Sequence, residues 1–75
     1  MPVISRRVRR RMLKLLNMQY TPAEIASELG VSKHTVYKVW LPGAPHTSVA
    51  GRLWIVGTEL RAWAESDAVT HQGND

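Results

Sequence analysis

Between Gly30 and Pro42 the chain reads GVSKHTVYKVWLP. Ser32, Lys33, His34, Thr35, Tyr37 and Lys38 can all donate hydrogen bonds, and no Asp or Glu stands among them. Donors without acids suit a polyanion. Lysine neutralises phosphate or reaches guanine acceptors, histidine and tyrosine bond base edges or phosphates, and a tyrosine ring packs on a thymine methyl. Acid–base catalysis has no comparable footing. Glu24, Glu28, Glu59 and Glu65 fall on helix surfaces with no paired carboxylate and no nucleophile–base arrangement, so the chain is not expected to be an enzyme. Cysteine is absent, and His34, His46 and His71 are widely spaced without a ligand pattern. No metal and no cofactor are expected.

Two helices must position the donors. Thr21-Pro22-Ala23-Glu24 is a helix start: Thr21 caps, Pro22 suits the first helical position, and Glu24 completes a capping box. The helix runs to Gly30 and buries Ile25, Ala26 and Leu29. Ser32 then caps a second helix, KHTVYKVW, whose inward residues are Val36, Val39 and Trp40. Ala26 is small where the helices cross, and Gly30 supplies a left-handed backbone for the tight turn. This spacing matches a helix-turn-helix, whose second helix enters a major groove about 12 Å wide. Lys33, His34, Tyr37 and Lys38 are the candidate major-groove contacts. Ser32 and Thr35 sit near a helix N-terminus, where amides favour phosphate.

Ahead of this pair lies VISRRVRRRMLKLLNM, which reads as a helix over 3–18 with Ile4, Val8, Met12 and Leu15 on one apolar stripe. Residues 1–20 hold six cations and no acid, whereas residues 21–75 hold four cations and six acids, for a net +4. Such asymmetry points to phosphate. Arg6, Arg10 and Lys14 form one row at spacing four and Arg7 and Arg11 a second. One row is expected on the DNA backbone, with Thr21 similarly placed but chiefly a cap.

After Trp40, Pro42-Gly43-Ala44-Pro45 forces a turn. Residues 46–49 and 52–56 read as two strands joined at Ala50-Gly51. Leu53 and Ile55 share one face of the hairpin, and Arg52 and Trp54 share the other. Arg52 is the candidate for an adjacent minor groove. Trp54 is expected to pack, over the stem of Arg52 or under the preceding turn. Thr58 caps a last helix facing Leu60 and Trp63 inward, and residues 66–75 read as a frayed tail. The fold is therefore mainly α with a small β-hairpin, a winged helix-turn-helix in the order α-α-α-β-β-α over residues 1–65. No apolar run is long enough for a membrane span or signal core, so a cytoplasmic location is expected, with no membrane partner.

EIASELGVSKHTVYKV resembles the helix-turn-helix of many bacterial and phage DNA-binding proteins. LPGAPHTSVAGRLWIVGTELRAW resembles the winged domains of phage excisionases and the MerR-type superfamily. Gly43-Ala44-Pro45 stands at their Gly-x-Pro turn, Gly51-Arg52 in their wing, and Leu60-Arg61-Ala62-Trp63 in their closing helix. The resemblance covers residues 21–64. It implies a double-stranded DNA partner, and a small architectural factor that binds and bends DNA so that a separate integrase performs excisive recombination, alongside neighbouring copies of itself. A repressor-like or MerR-like transcriptional regulator is the second reading, and a protein-interaction module or toxin–antitoxin partner the third. No small-molecule ligand is implied. The basic first helix departs from the excisionase pattern and resembles the first helix of three-helix domains of recombinases and homeodomain-like regulators.

Overall fold

Ser5 begins the first helix. In the computed structural model, which describes residues 3–66 and 70–72, Ser5 Oγ accepts from the Val8 N–H at 3.2 Å and caps α1, Arg6–Met12. The residues before it, Val3–Ser5, form strand β1. The helix expected over 3–18 is thus shorter at both ends. Past Met12 the chain tightens into i→i−3 bonds from Leu13, Lys14 and Leu15 to the carbonyls of Arg10, Arg11 and Met12, at 3.2, 3.1 and 3.0 Å. Five arginines among the seven residues of α1 crowd like charge onto two turns. Stopping there lets Leu15 and Tyr20 fold back into the core. The apolar stripe survives across strand, helix and turn: Ile4, Met12 and Leu15 are buried, with Val8 packed against them.

The Tyr20 hydroxyl accepts from the Leu16 N–H at 3.0 Å, closing this turn ahead of β2, Gln19–Tyr20. Helix α2 follows at Pro22–Leu29 with the capping box intact. The Glu24 N–H donates to Thr21 Oγ1 at 3.2 Å and the Thr21 N–H to Glu24 Oε1 at 2.8 Å. Gly30 ends α2 in the left-handed region, φ +69°, and the Val31 N–H reaches the Ala26 carbonyl at 3.0 Å.

The next helical segment differs in kind from the expected α-helix. Thr35–Trp40 is wound as a π-helix, with the Leu41 N–H donating to the Val36 carbonyl, five residues back, at 2.9 Å. Each residue of an i→i−5 turn advances through a smaller angle than in an α-helix. Val36 and Trp40 therefore both point inward, and Val39 rotates off that line to 42% exposure. Val39 was expected inside; the wider winding turns it out.

The Pro42-Gly43-Ala44-Pro45 turn closes with the Gly43 and Ala44 N–H groups both donating to the Trp40 carbonyl, at 3.0 and 2.8 Å. Strands β3, Thr47–Val49, and β4, Arg52–Val56, then pair with Val49 opposite Arg52. Ala50 and Gly51 both have positive φ, 51° and 79°, the pattern of a type I′ turn. Strand β2 lies on the other edge of β4, Tyr20 opposite Ile55. The wing is thus part of a three-stranded antiparallel sheet ordered β2-β4-β3, one strand more than the expected hairpin.

Helix α3, Gly57–Ala64, follows with Leu60 and Trp63 buried as expected. Thr58 does not cap it. Val56 is the N-cap residue, and the Thr58 hydroxyl donates instead to Asn17 Oδ1 at 2.9 Å, tying α3 to the turn after α1. One core runs through the chain, with Trp40, Ile25, Leu29, Ile55 and Leu60 at its centre. The backbone of Thr70–Gln72 forms β5, parallel to β1, so part of the expected tail is tied to the start of the chain. Ser66, at the start of that tail, donates from its N–H and its hydroxyl to the Trp63 carbonyl, and residues 67–69 and 73–75 lie outside the described residues. Among the described residues, no helix is long and apolar enough to cross a membrane.

Candidate nucleic-acid interface

Capping fixes the donor-bearing segment at its start. Ser32 Oγ accepts from the Thr35 N–H at 3.1 Å and lies 3.0 Å from the Thr35 hydroxyl. These two hydroxyls satisfy each other in part, and Thr35 is half-buried. Lys33, His34, Tyr37 and Lys38 are exposed, and none has an acid beside it in sequence. Val36 and Trp40 hold the segment down from within, at 0% and 2% exposure. The result is a rigidly seated segment whose outer surface carries two ammonium groups, an imidazole, a phenol and, through the π-winding, the Val39 methyls. Val39 is the residue that sequence spacing missed. Helical periodicity places it inside, and no residue type in the segment announces a π-turn.

Five of the six basic residues at and just after α1 line one of two grooves, and Arg7 lines neither. Arg6, Arg9 and Arg10 line one groove with Leu13 and with Glu65 at the end of α3. Arg11 and Lys14 line another with Leu15 and with Glu28 of α2. Arg6 and Arg10 stay together as spacing four requires. Lys14 leaves them, because α1 ends at Met12.

Arg11 also has an internal task. Its guanidinium Nη1 donates to the Leu29 carbonyl at 2.9 Å, satisfying one of the free carbonyls at the end of α2. A side chain on Gly30 would collide with that guanidinium. Arg11→Ala is therefore expected to lower the thermal midpoint by a few degrees, from a loss of about 1 kcal/mol. Thermal denaturation followed by circular dichroism checks this, and an unchanged midpoint would remove Arg11 from the scaffold. Thr21, the other backbone candidate, has its hydroxyl engaged in the capping box.

The wing presents Arg52 on its outer face. Arg52 is exposed, and its guanidinium carbon lies 5.9 Å from the Trp54 ring centroid. Leu53 and Ile55 face the core, as alternation requires, with Ile55 fully buried. Trp40 and Trp63 are buried packing residues.

A family model described as a homeodomain-like domain matches residues 4–45, more than half of the chain. The match takes in α1, α2 and the π-helix, and it includes the basic first helix by which the chain departs from excisionase-like domains. It supports a helix-turn-helix family without singling out excisionases or MerR-type proteins. The wing lies outside the matched stretch. No curated protein and no solved structure matches the chain.

Proposed function

We propose, since the chain belongs to the homeodomain-like helix-turn-helix family and that family points to sequence-specific DNA binding, that it is an accessory factor of site-specific recombination, binding short duplex sites and bending them for a separate integrase. The observation that carries the DNA reading is the acid-free outer surface of Lys33, His34, Tyr37 and Lys38, seated by Val36 and Trp40. Lys33 and Lys38 meet guanine acceptors or phosphates, His34 meets a base edge, and Tyr37 and Val39 offer apolar contact to thymine methyls. Ser32 and Thr35 serve the neighbouring phosphates. Arg52 enters the adjacent minor groove from the wing. Contact with both grooves rewards a bent duplex, because the bend lets more protein surface touch DNA. The recombination role itself rests on the resemblance of the wing segment to excisionase domains.

Arg6, Arg7, Arg10 and Lys14 are the backbone contacts in this reading, with Arg11 and Thr21 limited by their internal bonds. Arg6→Gln with Arg10→Gln should weaken binding to specific and random duplexes alike. The slope of log affinity against log salt should flatten by about two. A loss confined to the specific site would remove these arginines from the backbone role.

Gel-shift and DNA-bending assays on the chain's neighbouring genomic DNA, across a salt titration, test the whole reading. Cooperative binding to clustered direct repeats with bending supports the recombination factor and its association with neighbouring copies. A single unbent palindromic site at a promoter overturns that role in favour of a transcriptional regulator. Absence of specific binding at low salt overturns DNA recognition itself.

A further inference from the structure

The outer face of the wing holds an arginine and an indole two residues apart on one strand. Successive residues of β4 alternate faces, so Arg52 and Trp54 emerge on the same side, joined by their cross-strand partners Val49 and Thr47. Leu53 and Ile55, on the opposite side, account for how β4 is anchored. Trp54 is therefore not needed to bury the hairpin, yet it is half-buried, and the Arg52 guanidinium carbon lies 5.9 Å from its ring centroid. The turn beside Arg52 is fixed by the positive φ angles of Ala50 and Gly51. The backbone under the pair is thus defined, and the freedom that remains is in the side chains, most of all in the long arginine.

That freedom matters for groove binding. An arginine side chain has many rotamers, and most of that freedom is lost when the guanidinium is held by a partner. A cation over an aromatic face is attracted by the ring quadrupole, and the contact confines the guanidinium before any DNA arrives. We propose that Trp54 is a positioning residue: its indole pre-orders the Arg52 guanidinium on the outer face of the wing, so that minor-groove entry costs less entropy. The proposal rests on the reading of Arg52 as a minor-groove contact. It assigns Trp54 a role in affinity for A·T-rich flanks, where a narrow minor groove attracts arginine most strongly.

A double-mutant cycle isolates the effect. The intact chain, Arg52→Ala, Trp54→Ala, Trp54→Phe and the double alanine variant are titrated by fluorescence anisotropy. The probes are labelled duplexes carrying the site that the intact chain selects from a randomised pool, flanked by an A-tract or by G·C pairs. Trp54→Ala should lose about two- to fivefold affinity on the A-tract probe and much less on the G·C probe. Trp54→Phe, which keeps an aromatic face, should recover most of that loss. In the Arg52→Ala background Trp54→Ala should have no further effect. Circular dichroism melting of each variant separates these losses from unfolding.

A second readout uses the other tryptophans. Trp40 and Trp63 are buried, so collisional quenching by acrylamide reports mainly on Trp54. Quenching should fall when the A-tract probe is bound, and should change little in Trp54→Phe. Additive losses in the cycle, or a Trp54→Ala chain that binds the A-tract as tightly as the intact one, overturn the positioning role while leaving the wing contact standing. An Arg52→Ala chain with undiminished A-tract affinity instead overturns the wing contact on which the proposal rests.

Discussion

Replacing Gly57 by alanine is expected to destabilise the chain more than any exposed substitution, by about 3 kcal/mol. A 75-residue domain has only about 4–11 kcal/mol of stability to lose. Gly57 stands where β4 ends and α3 begins, and its N–H donates to the Met18 carbonyl at 3.0 Å. A Cβ at this position would collide with the Leu16 carbonyl oxygen, lie 2.8 Å from the Tyr20 ring and 3.0 Å from the Leu15 side chain. The first of these is backbone, and it cannot withdraw cheaply, because the neighbouring Leu16 N–H is bonded to the Tyr20 hydroxyl. Gly51 provides the comparison. A Cβ there meets nothing within 4 Å, but φ is +79°, so Gly51→Ala incurs only the left-handed strain of about 1 kcal/mol. Urea denaturation of the two variants should therefore show a large fall in midpoint for Gly57→Ala and a small one for Gly51→Ala. Equal midpoints would mean that the turn after α1 is not packed against the start of α3.

The same turn explains where sequence patterning stopped being informative. Local signals with a one-to-one chemical meaning came through: the capping box at Thr21 and Glu24, the left-handed Gly30, the Ala50-Gly51 turn and the alternation along β4. Each is set by neighbours within four residues. What could not be read depends on distant partners. Strand β2 is two residues long, too short to alternate, and exists because β4 offers it an edge. Thr58 has the side chain of a cap but finds Asn17 across the fold. The arginines of α1 look equivalent as a charge run. Only the packing of α1 between α2 and α3 separates the groove beside Glu65 from the groove beside Glu28 and gives Arg11 the end of α2 to cap.

The candidate interface shows the same division. The exposure of Lys33, His34, Tyr37 and Lys38 was legible because an acid-free run of donors around buried anchors is visible in one dimension. Val39 was not, because the difference between an i→i−4 and an i→i−5 turn moves a side chain between core and surface without any change in residue type. In the proposed reading the winding bears on function as well as burial. It sets which side chains flank Lys38, and so which bases an apolar contact would meet.

Charge reversal at Lys33 and Lys38 together is expected to reduce affinity for the specific duplex by about a hundredfold or more, since a contact to a base edge is worth about 1–3 kcal/mol, a phosphate contact adds salt-dependent affinity, and each glutamate adds repulsion from phosphate. Both side chains are exposed and neither is hydrogen-bonded among the described residues, so the melting midpoint should stay within a few degrees of the intact chain. The single neutral variants carry more information than the reversal. If Lys38 reaches guanine, Lys38→Gln lowers affinity for the selected site and leaves random DNA nearly unaffected, collapsing the ratio between them. If Lys38 reaches phosphate, both affinities fall together and the salt slope flattens by about one. Lys33, near the capped start of the segment, is closer to the phosphate case in position, since in the proposed reading Ser32 and Thr35 beside it serve the same backbone. Lys33→Gln should then flatten the salt slope while Lys38→Gln changes the specificity ratio, two different signatures from two residues of one type. A double reversal that leaves specific binding within a few-fold of the intact chain would show that the outer surface of this segment is not where DNA is read.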